Sequence, residues 1–270
     1  MRLLVTSDVH LDFGGHLTLR STIDAMVSRM AAERPDALVL AGDLAHGFAA
    51  FEACLDAFAP LGVPTGVVAG NHDVWRDVDR HVPSRALWET ELKRATRQRE
   101  FAWLEEDTLR VGSLAVIGSL VWYDYSAALP DYDLDYALVK RHMINDANWI
   151  DWPWGDADVA EGLREGLVRR LALLETDPRV DRVLLATHVP IFSEQLIQRP
   201  DEPTWQLRHA FFGNLTTGRA VLPFEKLRHV VSGHTHAAAQ GTVDRSPLPP
   251  IQCQVIGSEY GAPTFVVVEL

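Results

Sequence analysis

An α/β fold is predicted by two features of this sequence: short, continuous apolar runs of strand length, and amphipathic stretches of helical period between them. Residues 37–41 (Ala-Leu-Val-Leu-Ala) are unbroken by any polar side chain, as a parallel strand covered on both faces requires. Over the N-terminal part such runs end roughly every 30 residues, the size of a βαβ unit. Right-handed crossovers then place the strand ends along one edge of a sheet.

Taken in order, residues 3–6 form the first apolar run and stop at Ser7-Asp8. Residues 18–33 carry Leu19, Ile23, Met26, Val27 and Met30 at helical spacing, and Pro35 ends that helix. The run 37–41 stops at Gly42-Asp43, a helix follows over 49–59, and the strand 67–69 stops at Gly70-Asn71-His72-Asp73. Residues 81–106 are expected to be mainly helical, and 114–120 a strand. The pattern breaks over 121–156, which is crowded with Trp122, Tyr123, Tyr125, Tyr132, Trp149, Trp152 and Trp154, and with Asp124, Asp131, Asp133, Asp135 and Asp151. This region is expected to be a cap inserted over the active edge of a single domain spanning 1–270. Helical period returns at 159–174, and the strand 182–187 stops at His188. Residues 198–222 are polar, contain Pro and Gly, and are expected to be irregular. The last parallel-type strand, 229–232, stops at Gly233-His234-Thr235-His236, and 255–256 and 265–268 fit closing antiparallel strands.

Composition narrows the function. With 270 residues, 47% of them hydrophobic, the chain can bury a sizeable core. A formal charge of −12 disfavours a broad cationic face for nucleic-acid phosphates, which need clustered Lys and Arg. The two cysteines, Cys54 and Cys253, have neither the number nor the spacing of a disulfide framework or thiolate site. Without an apolar leader or a run long enough to span a bilayer, the expected location is the cytoplasm.

The polar segments at the strand ends carry the chemistry. Asp8 and His10 are two residues apart, so in extended backbone they share a face and reach one ion. His234 and His236 repeat that spacing; alone they also suit two ordinary solvated histidines or a single zinc site. Asp43 follows a glycine that lets the backbone turn closely, and a carboxylate there can bridge two ions. Asn71 offers a neutral amide oxygen. Singly, each segment reads as an ordinary turn, since Gly, Asn and Asp favour loops. Together they supply hard oxygen and imidazole ligands, the chemistry of a two-metal hydrolytic site, in which ions roughly 3.5–4 Å apart activate a water and clamp a phosphate.

This ordered set resembles the calcineurin-like metallophosphoesterase family, whose pattern runs D-x-H, G-D, G-N-H-D/E, H and G-H-x-H; none of its positions is substituted here. The resemblance implies a four-layer α-β-β-α sandwich of mixed sheets with the metal site at the C-terminal ends of strands. It implies a first metal held by Asp8, His10 and His236, a second by Asn71, His188 and His234, and Asp43 bridging both. It implies attack by a metal-bridging hydroxide, with His72 near the leaving-group oxygen as general acid or phosphate-binding donor and Asp73 orienting the His72 ring. With no thiolate, manganese, iron, zinc and cobalt all suit such ligands and the residues do not choose among them; the resemblance makes manganese the first expectation.

The expected function is therefore hydrolysis of phosphomonoesters or phosphodiesters of small, nucleotide or cyclic-nucleotide type, with no membrane partner. A nuclease and a non-catalytic protein-binding scaffold are the alternatives. Outside the motifs, His46 can line the metal edge and Trp75 can wall the pocket or pack between helix and sheet. Arg76, Arg80, Arg199 and Arg208 are weaker phosphate-contact candidates. His16, His81, His142, His209 and His229 are read as solvated or packed.

Overall fold

The computed structural model describes residues 1–14, 20–130 and 134–270. Two sheets face each other. The first has the order β11-β1-β2-β3-β4, formed by Phe265–Glu269, Arg2–Thr6, Ala37–Ala41, Thr65–Val68 and Ala102–Trp103; β1 to β4 run parallel and β11 antiparallel to β1. The second has the order β5-β6-β7-β8-β10-β9, formed by Leu109–Val111, Leu114–Ser119, Arg182–Thr187, Leu227–Ser232, Leu248–Val255 and Ala239–Arg245. Its four central strands, β6, β7, β8 and β10, are parallel, and the edge strands β5 and β9 antiparallel.

Side-chain alternation explains the layering. In β2, Ala37, Val39 and Ala41 point between the sheets, where they meet Val116, Leu184 and Ala186 of the second sheet. Leu38 and Leu40 point the other way, toward Ile23, Met26 and Met30 of α1 (Arg20–Ala32) and Phe51, Leu55 and Phe58 of α2 (Phe48–Phe58). In the second sheet Ala115, Ile117, Val183 and Leu185 face outward onto Leu167, Leu171 and Leu174 of the 21-residue helix α7 (Asp156–Thr176). These are the four layers implied by the resemblance. Each large side chain buried this way contributes about 1.5–3 kcal/mol.

The remaining helices cover the edges. A short helix α3 (Ser84–Ala86) runs through a π turn (Leu87–Glu91) into α4 (Leu92–Arg97), within the stretch expected to be helical. The 121–156 region holds α5 (Tyr136–Met143), capped where Asp135 accepts from the Ala137 and Leu138 amides, and α6 (Asp146–Trp149). The stretch expected to be irregular is instead helical in part, with α8 (Pro203–Arg208) and α9 (Leu215–Val221). Asn214 caps α9 by accepting from Thr217, and its side chain also donates to the Trp122 carbonyl. That polar residue was a cap signal inside a stretch whose Pro and Gly content suggested loop.

Two further expectations change. The strand ends do not share one sheet: β1 to β3 lie in the first, β7 and β8 in the second, and the polar edge spans the sandwich. The strand expected at 255–256 is the end of β10, which runs parallel to β8, so 227–232 is not the last parallel strand; the antiparallel hairpin of β10 with β9 was not anticipated, because Pro249 and Pro250 mask a strand that pairs there irregularly. Thr18 and Leu19 of the first expected helix, His16, and Asp131, Tyr132 and Asp133 lie outside the described residues.

Candidate metal centre

Each candidate ligand sits just past a strand, where the chain turns sharply. Asp8 and His10 follow β1 with φ of 55° and 44°, Asp43 follows β2 with φ 54°, and His234 and His236 follow β8 with φ 72° and 56°. Left-handed backbone costs a non-glycine residue roughly 1–2 kcal/mol. Main-chain bonds between the turns hold it: Asp8 N–H to Gly42 O at 2.9 Å, His10 N–H to Asp43 O at 3.0 Å, and Gly233 N–H to His188 O at 3.0 Å. Asp8 and His10 thus converge through a strained turn, not through the extended alternation that their spacing suggested.

Two glycines are required by crowding. A Cβ on Gly70 would lie 2.1 Å from Asp43 Oδ1, and one on Gly233 would lie 2.4 Å from Asp8 Oδ2. The motif glycines make room for the carboxylates of neighbouring turns.

Asp43 is the hub. Its Oδ1 is 3.4 Å from His188 Nε2, and its Oδ2 is 3.7 Å from His10 Nε2 and 3.9 Å from His72 Nε2. Asp8 Oδ1 is 3.6 Å from His236 Nε2, and the Asp8 carboxylate accepts from the His234 amide. On the far side, Asn71 Oδ1 meets His188 Nε2 at 2.9 Å and His234 Nδ1 at 3.1 Å, while His234 Nε2 faces the Phe211 carbonyl at 2.9 Å. Among the described residues, three groups could hold an ion, each with one atom per residue and all within 4.8 Å: Asp8, His10 and His236; His10, Asp43 and His72; Asp8, Asp43 and His188.

The donor set suits cations. Asp8, His10, Asp43 and His188 are all at most 2% exposed. His10 Nε2 and His236 Nδ1 are buried without a hydrogen-bond partner, a state that costs roughly 1–3 kcal/mol per group unless something else satisfies it. Burial lowers His10 to about 4 against the raising effect of Asp43, so its ring stands neutral, as a metal ligand must be. His188 is the exception: burial opposes its charge, but the Asp43 carboxylate holds it up at about 9. A proton there stands in for positive charge between Asp8 and Asp43.

Asp73 does not orient His72. Its Oδ1 accepts from the Leu44 and Ala45 amides at 2.9 and 3.1 Å and its Oδ2 from Gly70 at 2.8 Å, so it ties the Asn71 turn to the Asp43 turn. The His72 ring is instead stacked on Trp75 at 3.8 Å, and the His72 amide donates to Asp43 Oδ1. Trp75, 3% exposed, therefore both packs and walls the site.

Asp146 was missed by sequence reasoning. It is 1% exposed and accepts from Asn71 Nδ2 at 2.9 Å, Trp75 Nε1 at 2.7 Å and Tyr123 OH at 3.0 Å. One more Asp in an Asp-rich region carries no distinguishing signal. Of the aromatics in the 121–156 region, Trp122, Tyr123 and Trp152 are buried, whereas Trp149 is half-buried and stacks on Trp75. His46 reaches the rim edge-on to Trp75 and Trp149. His209 is packed between Gln198 and the Ala127 carbonyl. Arg80 pairs with Glu91 and Arg199 with Glu202; Arg208 is exposed.

A family model described as calcineurin-like phosphoesterase matches residues 1–238, and the chain belongs to that family of metal-dependent phosphate-ester hydrolases. Among solved structures it is similar to the phosphopantetheinyl hydrolase PptH from Mycobacterium tuberculosis, at 18% identity and TM-score 0.70, over 98% of this chain and 95% of that one. It is also similar to a dimetal phosphatase from Danio rerio, at 15% identity and TM-score 0.59, over 100% of this chain and 92% of that one. No curated protein matches the chain in sequence. Among the described residues, no helix is long and apolar enough to cross a membrane.

Proposed function

We propose that this chain hydrolyses phosphomonoesters or phosphodiesters of small, nucleotide or cyclic-nucleotide type at a pair of divalent ions. Asp8, His10 and His236 would hold the first ion, Asn71, His188 and His234 the second, and Asp43 both. The observation that carries this reading is Asp43, a buried carboxylate whose two oxygens face imidazoles of opposite ligand groups. When bound, the ion pair would polarise the phosphate and make a water acidic enough to attack it.

The chain's own residues do the rest. The fixed turns hold the ligands before substrate arrives, so little reorganisation is needed during reaction. Asn71, anchored by Asp146, presents its oxygen and not its amide nitrogen to the second position. His72 is more exposed than Asp43 behind it and has Trp75 against its face, which leaves Nε2 to donate to a phosphate or leaving-group oxygen. Burial lowers His72 to about 4, so at neutral pH it acts as a neutral hydrogen-bond donor and not as an imidazolium acid.

A formal charge of −12 supports small substrates over long nucleic acid. We read manganese as the working metal, the cytoplasm as the location and 121–156 as a cap on a single domain. The test is turnover of bis-p-nitrophenyl phosphate with added Mn²⁺ by the wild type and Asp43→Asn, followed by a panel of nucleotides, cyclic nucleotides and phosphopantetheinyl esters. Equal rates in the two proteins would remove Asp43 as the bridge, and a wild type inactive on every substrate would remove the hydrolase.

A further inference from the structure

Two aromatic side chains stand at the mouth of the metal centre with no part in holding ions. Tyr260 is 46% exposed and Phe13 48% exposed; among the described residues they are the only aromatics in the set of exposed large hydrophobics. They stack on each other with centroids 4.7 Å apart. Tyr260 also stacks on His236 at 4.5 Å and lies against His10 at 4.6 Å, so its ring borders the first metal position. Leaving paired aromatic surface in water is unfavourable, and such patches mark contact sites.

The backbone builds this placement. Residues 259–262 form a tight turn, with the Ala262 amide donating to the Glu259 carbonyl and Gly261 at φ 80° in the third position. Tyr260 is the tip. The turn is tied down where Ser258 Oγ accepts from the Thr264 amide and Thr6 Oγ1, on β1, donates to the Thr264 carbonyl. The tip is thus fastened to the strand that delivers Asp8 and His10. Tyr260 lies beyond residue 238, where the family match ends.

Across the centre, Trp149 and His46 form a second aromatic bank. Trp149 stacks on Trp75 at 5.7 Å and meets His46 edge-on at 5.0 Å; Trp75 in turn stacks on His72, and His72 meets His10 at 4.7 Å. A continuous series of ring contacts runs from Phe13 through Tyr260, His10, His72 and Trp75 to Trp149. Its middle is the metal floor and its two ends are accessible.

We propose that Tyr260, backed by Phe13 and facing Trp149 and His46, is a specificity-determining residue that selects phosphate esters whose leaving group is planar and aromatic, an aryl or nucleobase-bearing alcohol. A flat group departing from phosphate over the His10–His72 floor meets ring edges and faces on both sides, whereas an alkyl group of the same length does not. This rests on the phosphoesterase reading, and its test separates the two.

The probes are phenylphosphonate and methylphosphonate, which bind without being hydrolysed, titrated calorimetrically into Mn²⁺-loaded wild type, Tyr260→Phe, Tyr260→Leu and Phe13→Ala, with metal content measured on each. The wild type is expected to prefer phenylphosphonate by about tenfold, Tyr260→Phe to keep that preference, and Tyr260→Leu and Phe13→Ala to reduce it to about twofold. Tyr260→Leu keeps apolar packing against His10 and His236, so the ligands stay supported while the aromatic face is gone. No preference in the wild type, or an undiminished one in Tyr260→Leu, overturns the proposal. A wild type that prefers phenylphosphonate yet turns over no ester supports the aromatic cleft and removes the hydrolase reading alone.

Discussion

Asn71 and Asp146, 75 residues apart, are joined by a buried 2.9 Å hydrogen bond in which the Asn71 amide nitrogen donates. An amide has one oxygen and one nitrogen to offer, so engaging the nitrogen behind leaves the oxygen facing His188 and His234. A candidate ligand from the motif is thus oriented by a residue of the 121–156 region.

Asp146→Ala is therefore expected to weaken binding at the second position by about 10–100-fold, the usual cost of losing such an orienting partner. Competition against a fluorescent chelator measures it, with Asp8→Ala as the comparison for the first position. An affinity unchanged from wild type would show that Asn71 keeps its orientation unaided.

His188 predicts a pH dependence. Its folded value of about 9 lies above its ordinary 6.5, so its proton stabilises the metal-free protein fully below about pH 6.5. That contribution is lost as pH rises through about 9. Metal must displace the same proton, so uptake at pH 7.5 should release about one proton from this ring, and affinity should rise toward pH 9. Calorimetry in buffers of different ionisation enthalpy reads the release directly; heats independent of buffer would contradict it. In the same window the melting temperature of the metal-free protein should fall while that of the loaded protein holds.

His72→Ala is expected to retain both metals and to lose rate by about 10²–10⁴-fold. As a neutral donor to phosphate, His72 should matter similarly for p-nitrophenyl and alkyl leaving groups. A loss confined to poor leaving groups would make it the proton donor instead, and a loss of metal would make it a ligand, as its grouping with His10 and Asp43 allows.

Gly70→Ala tests the packing of the turns. The new methyl would lie 2.1 Å from Asp43 Oδ1 and 2.2 Å from the Asp43 amide nitrogen, so one turn must move. We expect destabilisation of about 1–3 kcal/mol and loss of metal, measured by denaturant melts and elemental analysis. Gly62→Ala provides the control, because nothing lies within 4 Å of its Cβ position and its positive φ adds only local strain. Equal behaviour of the two variants would refute the crowding.

Much of the centre was legible because its chemistry is local. Most candidate ligands sit beside a glycine or at the end of an apolar run, with His10 and His236 two residues further on, and β2 and β7 lie at the bounds their residues implied. Asp73 was misread because an acid next to a histidine suggests a pair, whereas the Asn71 turn closes so tightly that its carboxylate reaches main-chain amides instead. Asp146 and Tyr260 were invisible because neither has a ligand neighbour in sequence; loops far along the chain bring them in.

From the residues alone came the alternation of strands and helices and the types and order of the candidate ligands, since period, turn chemistry and donor hardness are properties of short segments. Only the folded chain decided that the candidate ligands straddle two sheets, that left-handed turns and not extended strands aim Asp8 and His10, and that Asp146 sets which end of Asn71 faces the centre. Those outcomes depend on packing and hydrogen bonds between segments far apart in the chain, 226 residues in the case of the His234 amide on Asp8, and no local pattern records them.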